Sequence, residues 1–574
     1  MFSTAVRPAP LTLHTRPHRH PLCLADVRVL ALMLLAALAL ATRVLSLGAN
    51  GLAEDEMDKL HGAEDYRQGV FTADGEHPAL MKLAVAASLV TADAWNRAAH
   101  VVGARPISIE AAVRLPNALA GAATTVVLYL LVEQFFTPFI ALCAAWFWTF
   151  DLGAVATSRI AKEDTFVLLF LLLAALLYER GKRVGIASPR VAQRWFAAAG
   201  AAFGLMMASK YLPYLFGIHV LYFRAAEPHP GRNRPDKPVY FGAMAAGFLI
   251  ANFPILWPGN WATIATFLDG HAVEHSGYVF QGVLWPNALW LTPRGLPVWF
   301  YLADLVTKTP LAVLAAIAVG LVALVARRRE RGGVFVWTFL SLTLVPYSLV
   351  ATKFLRYLLP TRAMLDIIAA LGVVWVMDQA AHRALRWRML AAAGGAVVML
   401  TPAVAWVHAQ PFVSLYRNAL GTALAPSTLW FPPDELYDAG LREAVEAVAA
   451  RAPRGAVVVT EAPAVAAFYA ARDERPDLLV RYPEPGDPQS SEWFIVQPGR
   501  IYFENRTMID RARQSAPIVA VDVDGFRGAE VYHGGRDDRR GPIVETTTIW
   551  RRPGDAPAAV RVTMHTSAVA AAGG

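Results

Sequence analysis

Apolar residues in this chain come in runs near 29–47, 112–132, 137–157, 165–178, 195–209, 211–223, 239–257, 309–326, 333–351, 363–378 and 389–408. Most approach the roughly 18 to 25 residues that carry an α-helix across a hydrocarbon core, so the pattern predicts about eleven transmembrane helices. After residue 408 the pattern changes. Short apolar pieces, "AVVVT" (456–460), "EWFIVQ" (492–497), "PIVAVDVD" (517–524) and "ETTTIW" (545–550), stand among Asp, Glu, Arg and Pro and read as buried strands. Within 433–452, Leu436, Leu441, Val445 and Val448 recur at helical spacing. The expectation is an all-α polytopic membrane domain over 29–408 and a C-terminal soluble α/β domain over 409–574, preceded by a basic arm over 1–28.

Composition supports this division. With 56 % hydrophobic residues, 17 % charged residues and a mean hydropathy of +0.38, the chain is too apolar for a soluble protein of 574 residues. The net charge of +8 would suggest a nucleic-acid partner in a soluble protein. Here the basic residues fall between spans, as in Arg180, Lys182, Arg183, Arg190 and Arg194, or Arg327, Arg328, Arg329 and Arg331. The positive-inside rule places these segments and the N-terminus in the cytoplasm, which sends the loops 48–111 and 258–308 and the tail after 408 outside. The Ala-, Arg- and Gly-rich composition points to a bacterial plasma (inner) membrane. "VLALMLLAALALA" resembles a signal-peptide core, but its apolar run continues to Leu47 and is expected to remain as the first span. Two cysteines, Cys23 and Cys143, provide neither a disulfide framework nor a thiolate metal cage.

Against this apolar background, "AEDEMDKLHGAEDYRQGVFTADGEHPALMK" (53–82) places dense charge directly after the first span. Seven cations also stand outside the cytoplasmic loops: Lys82, Arg159, Lys162, Lys210, Lys308, Lys353 and Arg356. A cation at a helix end on the disfavoured side either snorkels to lipid headgroups or binds an anion. Four polar groups share that face: "HPALMK" with His77 and Lys82, "SRIAKED" with Arg159 and Asp164, "SKY" at 209–211, and "KFLRYLLP" at 353–360. A carboxylate can take a proton from an attacking hydroxyl while Arg and Lys hold a phosphate whose bond to carbon breaks. That combination suits sugar transfer from a lipid phosphate. Phosphate leaves without a general acid, so one displacement inverts the anomeric centre, unlike the two-step retaining route.

The ordered stretches Asp55–Glu56, "HPALMK" and "SRIAKED" resemble the "DE", "HPPLGK" and "SRxxxxD" signatures of the dolichyl-phosphate-mannose protein O-mannosyltransferases and their bacterial relatives. These are polytopic class C glycosyltransferases. "LPVWFYLADLVTKTPL" (296–311) and "RYLLP" (356–360) are similar to later spans of bacterial members, so the resemblance covers roughly residues 29–420. It implies Asp55 as catalytic base and Glu56 as the neighbour that orients donor or acceptor. It also implies donor-phosphate contacts from His77, Lys82 and Arg159, with Lys210 and Arg356 as weaker carry-overs, and Asp164 holding Arg159. Ala79 and Met81 stand where the family has proline and glycine, which leaves the ionic groups intact. The implied partners are a polyprenyl-phosphate-linked sugar, mannose or another hexose, and a protein, lipid or polysaccharide acceptor. No cofactor follows from this scheme, no metal ligands are assigned, and a divalent cation is left open.

"HAVEH" (271–275) matches a zinc-peptidase pattern, but "SGYVFQG" follows at once, so His271, Glu274, His275 and Tyr278 are expected instead to line a substrate loop. "NRT" (505–507) fits a glycosylation acceptor, and Trp257, Trp261, Trp285 and Trp299 read as an interfacial belt. Two rival functions follow from the same residues: glycolipid modification like the lipid A aminoarabinose transferases, and a transporter or flippase for lipid-linked sugars. The second requires charges deep within spans.

Overall fold

The structure, a computed structural model, describes residues 24–185, 188–226, 237–268, 277–287, 295–424, 430–433, 435–436, 438–484, 486–487, 491–534, 545–549 and 561–564. Helix occurs in every expected span. In chain order the helices are α1 (Leu24–Val44), α2 (Glu54–Arg67), α3 (Leu80–Val102), α4 (Ile109–Val132), α5 (Pro138–Phe150), α6 (Leu152–Ser158), α7 (Asp164–Gly185) and α8 (Pro189–Met207). There follow α9 (Phe216–Ala226), α10 (Lys237–Ala251), α11 (Pro258–Leu268), α12 (Phe300–Lys308), α13 (Leu311–Ala326), α14 (Arg331–Leu349), α15 (Leu359–Ala381) and α16 (Leu385–His408). Among the described residues, α1, α4, α14, α15 and α16 are each long and apolar enough to cross a membrane. The pair α5–α6, bent by 60°, adds a sixth crossing if it is one span, while α10 and α13 are apolar but shorter. Close packing binds the bundle: a Cβ on Gly320 of α13 would lie 1.8 Å from the Ile368 carbonyl oxygen of α15. Small residues permit such approach where lipid offers no hydrophobic drive.

The segment 48–111, expected as a loop, contains two helices. Met57, Leu60, Ala63 and Tyr66 line the buried side of α2, and Met81, Val85, Leu89 and Ala92 that of α3. In α2 dense charge between these positions masks the periodicity in the sequence. Glu56 accepts from the Ala53 N–H at 2.9 Å, and acidic residues fill the first turn of α2, where the helix dipole favours them.

A hairpin of β1 (Tyr278–Phe280) and β2 (Val283–Trp285) precedes α12. The C-terminal region adds α17 (Ala419–Leu424), α18 (Leu441–Ala449), α19 (Pro463–Arg472) and α20 (Arg506–Ala512). Its strands are β3 (Val457–Val459), β4 (Leu479–Arg481), β5 (Trp493–Val496), β6 (Val519–Val523), β7 (Phe526–His533), β8 (Glu545–Ile549) and β9 (Arg561–Met564). They form one mixed sheet in the order β4-β3-β5-β7-β6-β8-β9. The expected strands appear as β3, β5, β6 and β8, and the expected helix as α18. One apolar cluster runs from Met57, Leu60 and Val85 through Val445 and Tyr469 to Ile495 and Val521, so the C-terminal region shares its core with α2 and α3.

Candidate active site

Three consecutive carboxylates open α2, and each has different surroundings. Glu56 is fully buried and accepts from four N–H groups: Ala53 N (2.9 Å), Ala161 N (2.9 Å), Arg114 Nε (2.8 Å) and Arg114 Nη2 (2.6 Å). Arg114, on α4, also donates to the carbonyls of Leu47 and Asn50 at 2.9 Å. Glu56 therefore faces the protein rather than an open site, and ties the start of α2 to the turn between α6 and α7. Glu54 turns the other way, toward the C-terminal region, where Arg500 meets its carboxylate. Asp55, between them, keeps 40 % of its side-chain exposure and places Oδ2 2.9 Å from Lys162 Nζ and 3.6 Å from an Arg356 guanidinium nitrogen.

The turn that carries Lys162 is held by polar anchors. Asn117 of α4 donates to the carbonyls of Ile160 (2.7 Å) and Lys162 (2.6 Å), which pins the α6–α7 turn. From Asp55 the charges alternate outward. Arg356 lies 3.6 Å from Asp164, and Asp164 3.0 Å from Lys210. Lys210 stands over the Tyr357 ring at 4.6 Å, and Arg356 over the Phe354 ring at 4.3 Å. Inward, Lys59 bridges Glu163 (3.0 Å) and Asp74 (2.6 Å), and His77 lies 3.5 Å from Asp74. The inner members are almost sealed, with Lys59, Glu163 and Lys82 each at 1 % side-chain exposure; Lys210 keeps 20 % and Arg356 12 %. An incoming anion thus meets Arg356 and Lys210 first.

Burial acts to raise the Asp55 pKa, but Lys162, Arg356 and Lys59 outweigh it and hold the carboxyl well below the usual range. The same balance lowers Glu163, where burial opposes Lys59, His77 and Lys162. Lys82 moves the other way: burial lowers its ammonium to about 8 despite Asp74. Glu435, whose Oε1 accepts from the Leu355 N–H at 3.2 Å, is pushed up to about 7 by burial, against the Tyr278 hydroxyl and Arg356.

The seven isolated cations divide into two groups. Lys162, Lys210 and Arg356 pair with Asp55 or Asp164. The other four are engaged by main-chain oxygens: Lys82 by Ala73 (3.1 Å) and His77 (3.0 Å), Lys308 by Ser414 (2.8 Å), and Lys353 by Leu296 (2.8 Å). Arg159 donates to Thr42 (2.8 Å), Leu45 (2.7 Å) and the Gln410 side chain (3.0 Å). Asp164, expected beside Arg159, has Lys210 and Arg356 as its ion-pair partners. Lys162, Glu163, Lys59 and Asp74 were missing from the expected site. Lys162 carried a signal, as one of the isolated cations within "SRIAKED"; Lys59 and Asp74 were hidden in the acidic stretch.

Tyr278 is buried, with its ring 5.5 Å from Phe300. His271, Glu274 and His275 lie outside the described residues. Asn505 is buried and its amide nitrogen donates to Glu461 and to the Arg500 carbonyl, so "NRT" is inaccessible as an acceptor in the folded chain. Trp257, Trp261 and Trp299 are exposed. Among the described residues Asp74, Glu76 and His77 form the group with metal-ligand spacing, their ligand atoms within 4.8 Å of one another. Lys59 and Lys82 already balance Asp74, so this group is an ion-pair network as it stands.

Residues 108–257 match the family model of the dolichyl-phosphate-mannose-protein mannosyltransferases. The chain resembles a class C glycosyltransferase of that family. The matched segment holds Asn117, Arg159, Lys162, Asp164 and Lys210, while Asp55, His77 and Lys82 precede it and Arg356 follows. No curated protein sequence matches. Similar solved structures include ArnT from Cupriavidus metallidurans bound to undecaprenyl phosphate (TM-score 0.47, 14 % identity, 87 % of this chain and 97 % of that one). Another is the Archaeoglobus fulgidus oligosaccharyltransferase (TM-score 0.47, 11 % identity, 82 % and 69 %). A third is the S. cerevisiae Pmt1–Pmt2 complex bound to its sugar donor (TM-score 0.30, 18 % identity, 43 % and 34 %).

Proposed function

We propose that this protein is an inverting glycosyltransferase of a bacterial plasma membrane, moving a hexose such as mannose from a polyprenyl-phosphate donor to an acceptor hydroxyl on the outer face. The observation that carries this is the juxtaposition of a partly exposed carboxylate, Asp55, with Lys162 at 2.9 Å and Arg356 at 3.6 Å, where the apolar helices end. At that depth a lipid tail stays in hydrocarbon while its phosphate reaches cations. The family-model match over 108–257 supports the reading, because that segment supplies Lys162 and Lys210.

In this scheme the acceptor oxygen bonds to the anomeric carbon and its proton passes to Asp55. The carbon–oxygen bond to phosphate breaks, and the electron pair leaves with polyprenyl phosphate, whose added charge falls on Arg356, Lys210 and Lys162. Without donor, Asp55 is a weak base because Lys162 and Arg356 hold it ionised. A bound phosphate competes for the same two cations and so raises the basicity of Asp55 when it is needed.

The test uses the full chain in lipid nanodiscs with a panel of polyprenyl-phosphate hexoses and a cell-envelope extract. Wild type should release polyprenyl phosphate and transfer the sugar. Asp55→Asn should bind donor and fail to turn over. Equal release by both proteins removes Asp55 as the base.

A further inference from the structure

The start of α2 lacks a capping side chain at its N-cap position. Ala53 occupies the N-cap position without a side chain that can accept a hydrogen bond, yet the Glu54 N–H is satisfied by Asp438 Oδ2 at 2.8 Å, from the C-terminal region. Asp438 is 1 % exposed and is itself gripped by Arg500 through Nε to Oδ1 at 2.8 Å and Nη2 to Oδ2 at 2.6 Å. The third guanidinium nitrogen of Arg500 reaches the Glu54 carboxylate, and Gln497 Nε2 donates to Asp438 Oδ1 at 3.0 Å. Around it, the Leu52 N–H donates to Tyr469 Oη at 2.6 Å and Arg442 donates to the Ala49 carbonyl at 2.8 Å. A Cβ on Gly51 would lie 2.9 Å from the Arg442 Cβ, so the loop before α2 is pressed onto the C-terminal region.

We infer that Asp438 and Arg500 are positioning residues for Asp55, and that the C-terminal region completes the active site by capping and latching the first turn of α2. This rests on the proposed function above. Asp55 is flanked by Glu56, anchored to Arg114 in the helical bundle, and by Glu54, anchored to Arg500 in the sheet domain. With both neighbours fixed, the carboxylate between them cannot leave Lys162 and Arg356. A region that only shielded this face would not need a buried bidentate ion pair beside the residue that takes the proton. Loss of one anchor frees the turn, and a displacement of an ångström at a reacting group costs about a hundredfold in rate.

Full-length Arg500→Ala, Arg500→Lys and Glu54→Gln proteins, with wild type and Asp55→Asn as references, would be compared in nanodiscs. Donor occupancy would be measured with polyprenyl-phosphate mannose, and hydrogen exchange followed over 50–60. The expected result is donor affinity unchanged in Arg500→Ala, because Lys162, Arg356 and Lys210 are untouched, with turnover per donor-occupied site down about tenfold to a hundredfold. Exchange should accelerate over 50–60 while the peptides of α18 and β5 stay protected. Arg500→Lys should recover part of the rate, and Glu54→Gln combined with Arg500→Ala should be no worse than Arg500→Ala alone. Unchanged turnover in Arg500→Ala, or a loss that only tracks lost donor binding, overturns the positioning role. If Asp55→Asn turns over like wild type, the functional reading fails instead.

Discussion

Glu56 and Asp55 are adjacent, yet their removal should fail in opposite ways. In Glu56→Gln a neutral amide replaces a buried carboxylate that accepts four N–H donors, two of them from Arg114. The single amide oxygen can keep about half of those bonds, its NH2 then faces other donors, and the Arg114 guanidinium loses the Glu56 charge. Breaking a buried pair in this manner costs about 3–5 kcal/mol. If α2, α3 and the C-terminal sheet melt as one unit of about 200 residues, as their shared core suggests, the midpoint falls by roughly 6–20 °C. Asp55→Asn removes a carboxylate that is 40 % exposed, so solvent screens part of the loss of its pairing with Lys162 and its melting point should fall less than that of Glu56→Gln. Turnover in Asp55→Asn should drop by about 10²–10⁴. The assay is thermal unfolding of each full-length variant in detergent or nanodiscs, beside release of polyprenyl phosphate. A Glu56→Gln protein that melts with wild type but has lost turnover would refute the assignment of Glu56 to the scaffold.

Because Lys162 and Arg356 keep Asp55 ionised before donor binds, kcat/KM for the donor should show no acid limb at pH 4–5; a limb in that range would show that Lys162 and Arg356 do not act on it. The corresponding stability contribution is present above the unfolded aspartate pKa and is lost only as pH falls below it. Glu435 has the opposite sign, since its pKa rises from 4.5 to about 7 on folding. The wild type therefore loses stability as pH rises from 4.5 through 7, and Glu435→Gln should be more stable by up to about 3 kcal/mol at pH 8 and equal to it at pH 4, measured by melting at both pH values. Lys162→Met and Arg356→Gln should weaken binding of polyprenyl phosphate by about tenfold or more, read by competition in nanodiscs. Lys353→Met should leave that affinity unchanged and instead lower the melting point, because its ammonium serves the Leu296 carbonyl.

"HPALMK", "SRIAKED" and the eleven helical segments were legible from residue types and spacing, and the Asp55–Glu56 pair from the resemblance to the mannosyltransferase signatures. Hydrophobic runs and isolated charges are local properties, and a bilayer penalises departures from them strongly enough to leave a mark in the sequence. Within those motifs roles were not legible. Arg159 and Lys162 are three residues apart in one turn, and only the turn's path decides that Arg159 grips the carbonyls of Thr42 and Leu45 while Lys162 faces Asp55. Helix α2 escaped notice because charged residues crowd its buried positions, and the core it shares with α3 is completed by residues from the far end of the chain.

The sequence by itself therefore determined the membrane class, the helical segments, the α/β tail and the neighbourhood of the candidate base. Tertiary structure alone decided which of three consecutive carboxylates faces Lys162 and Arg356, which of seven cations pair with Asp55 or Asp164, and that Asp438 and Arg500 hold the turn beside Asp55. The physical reason is that a charge takes its role from its nearest counter-charges and from its access to water. For Glu54 those partners lie at positions 438 and 500, distances along the chain that no local pattern can encode.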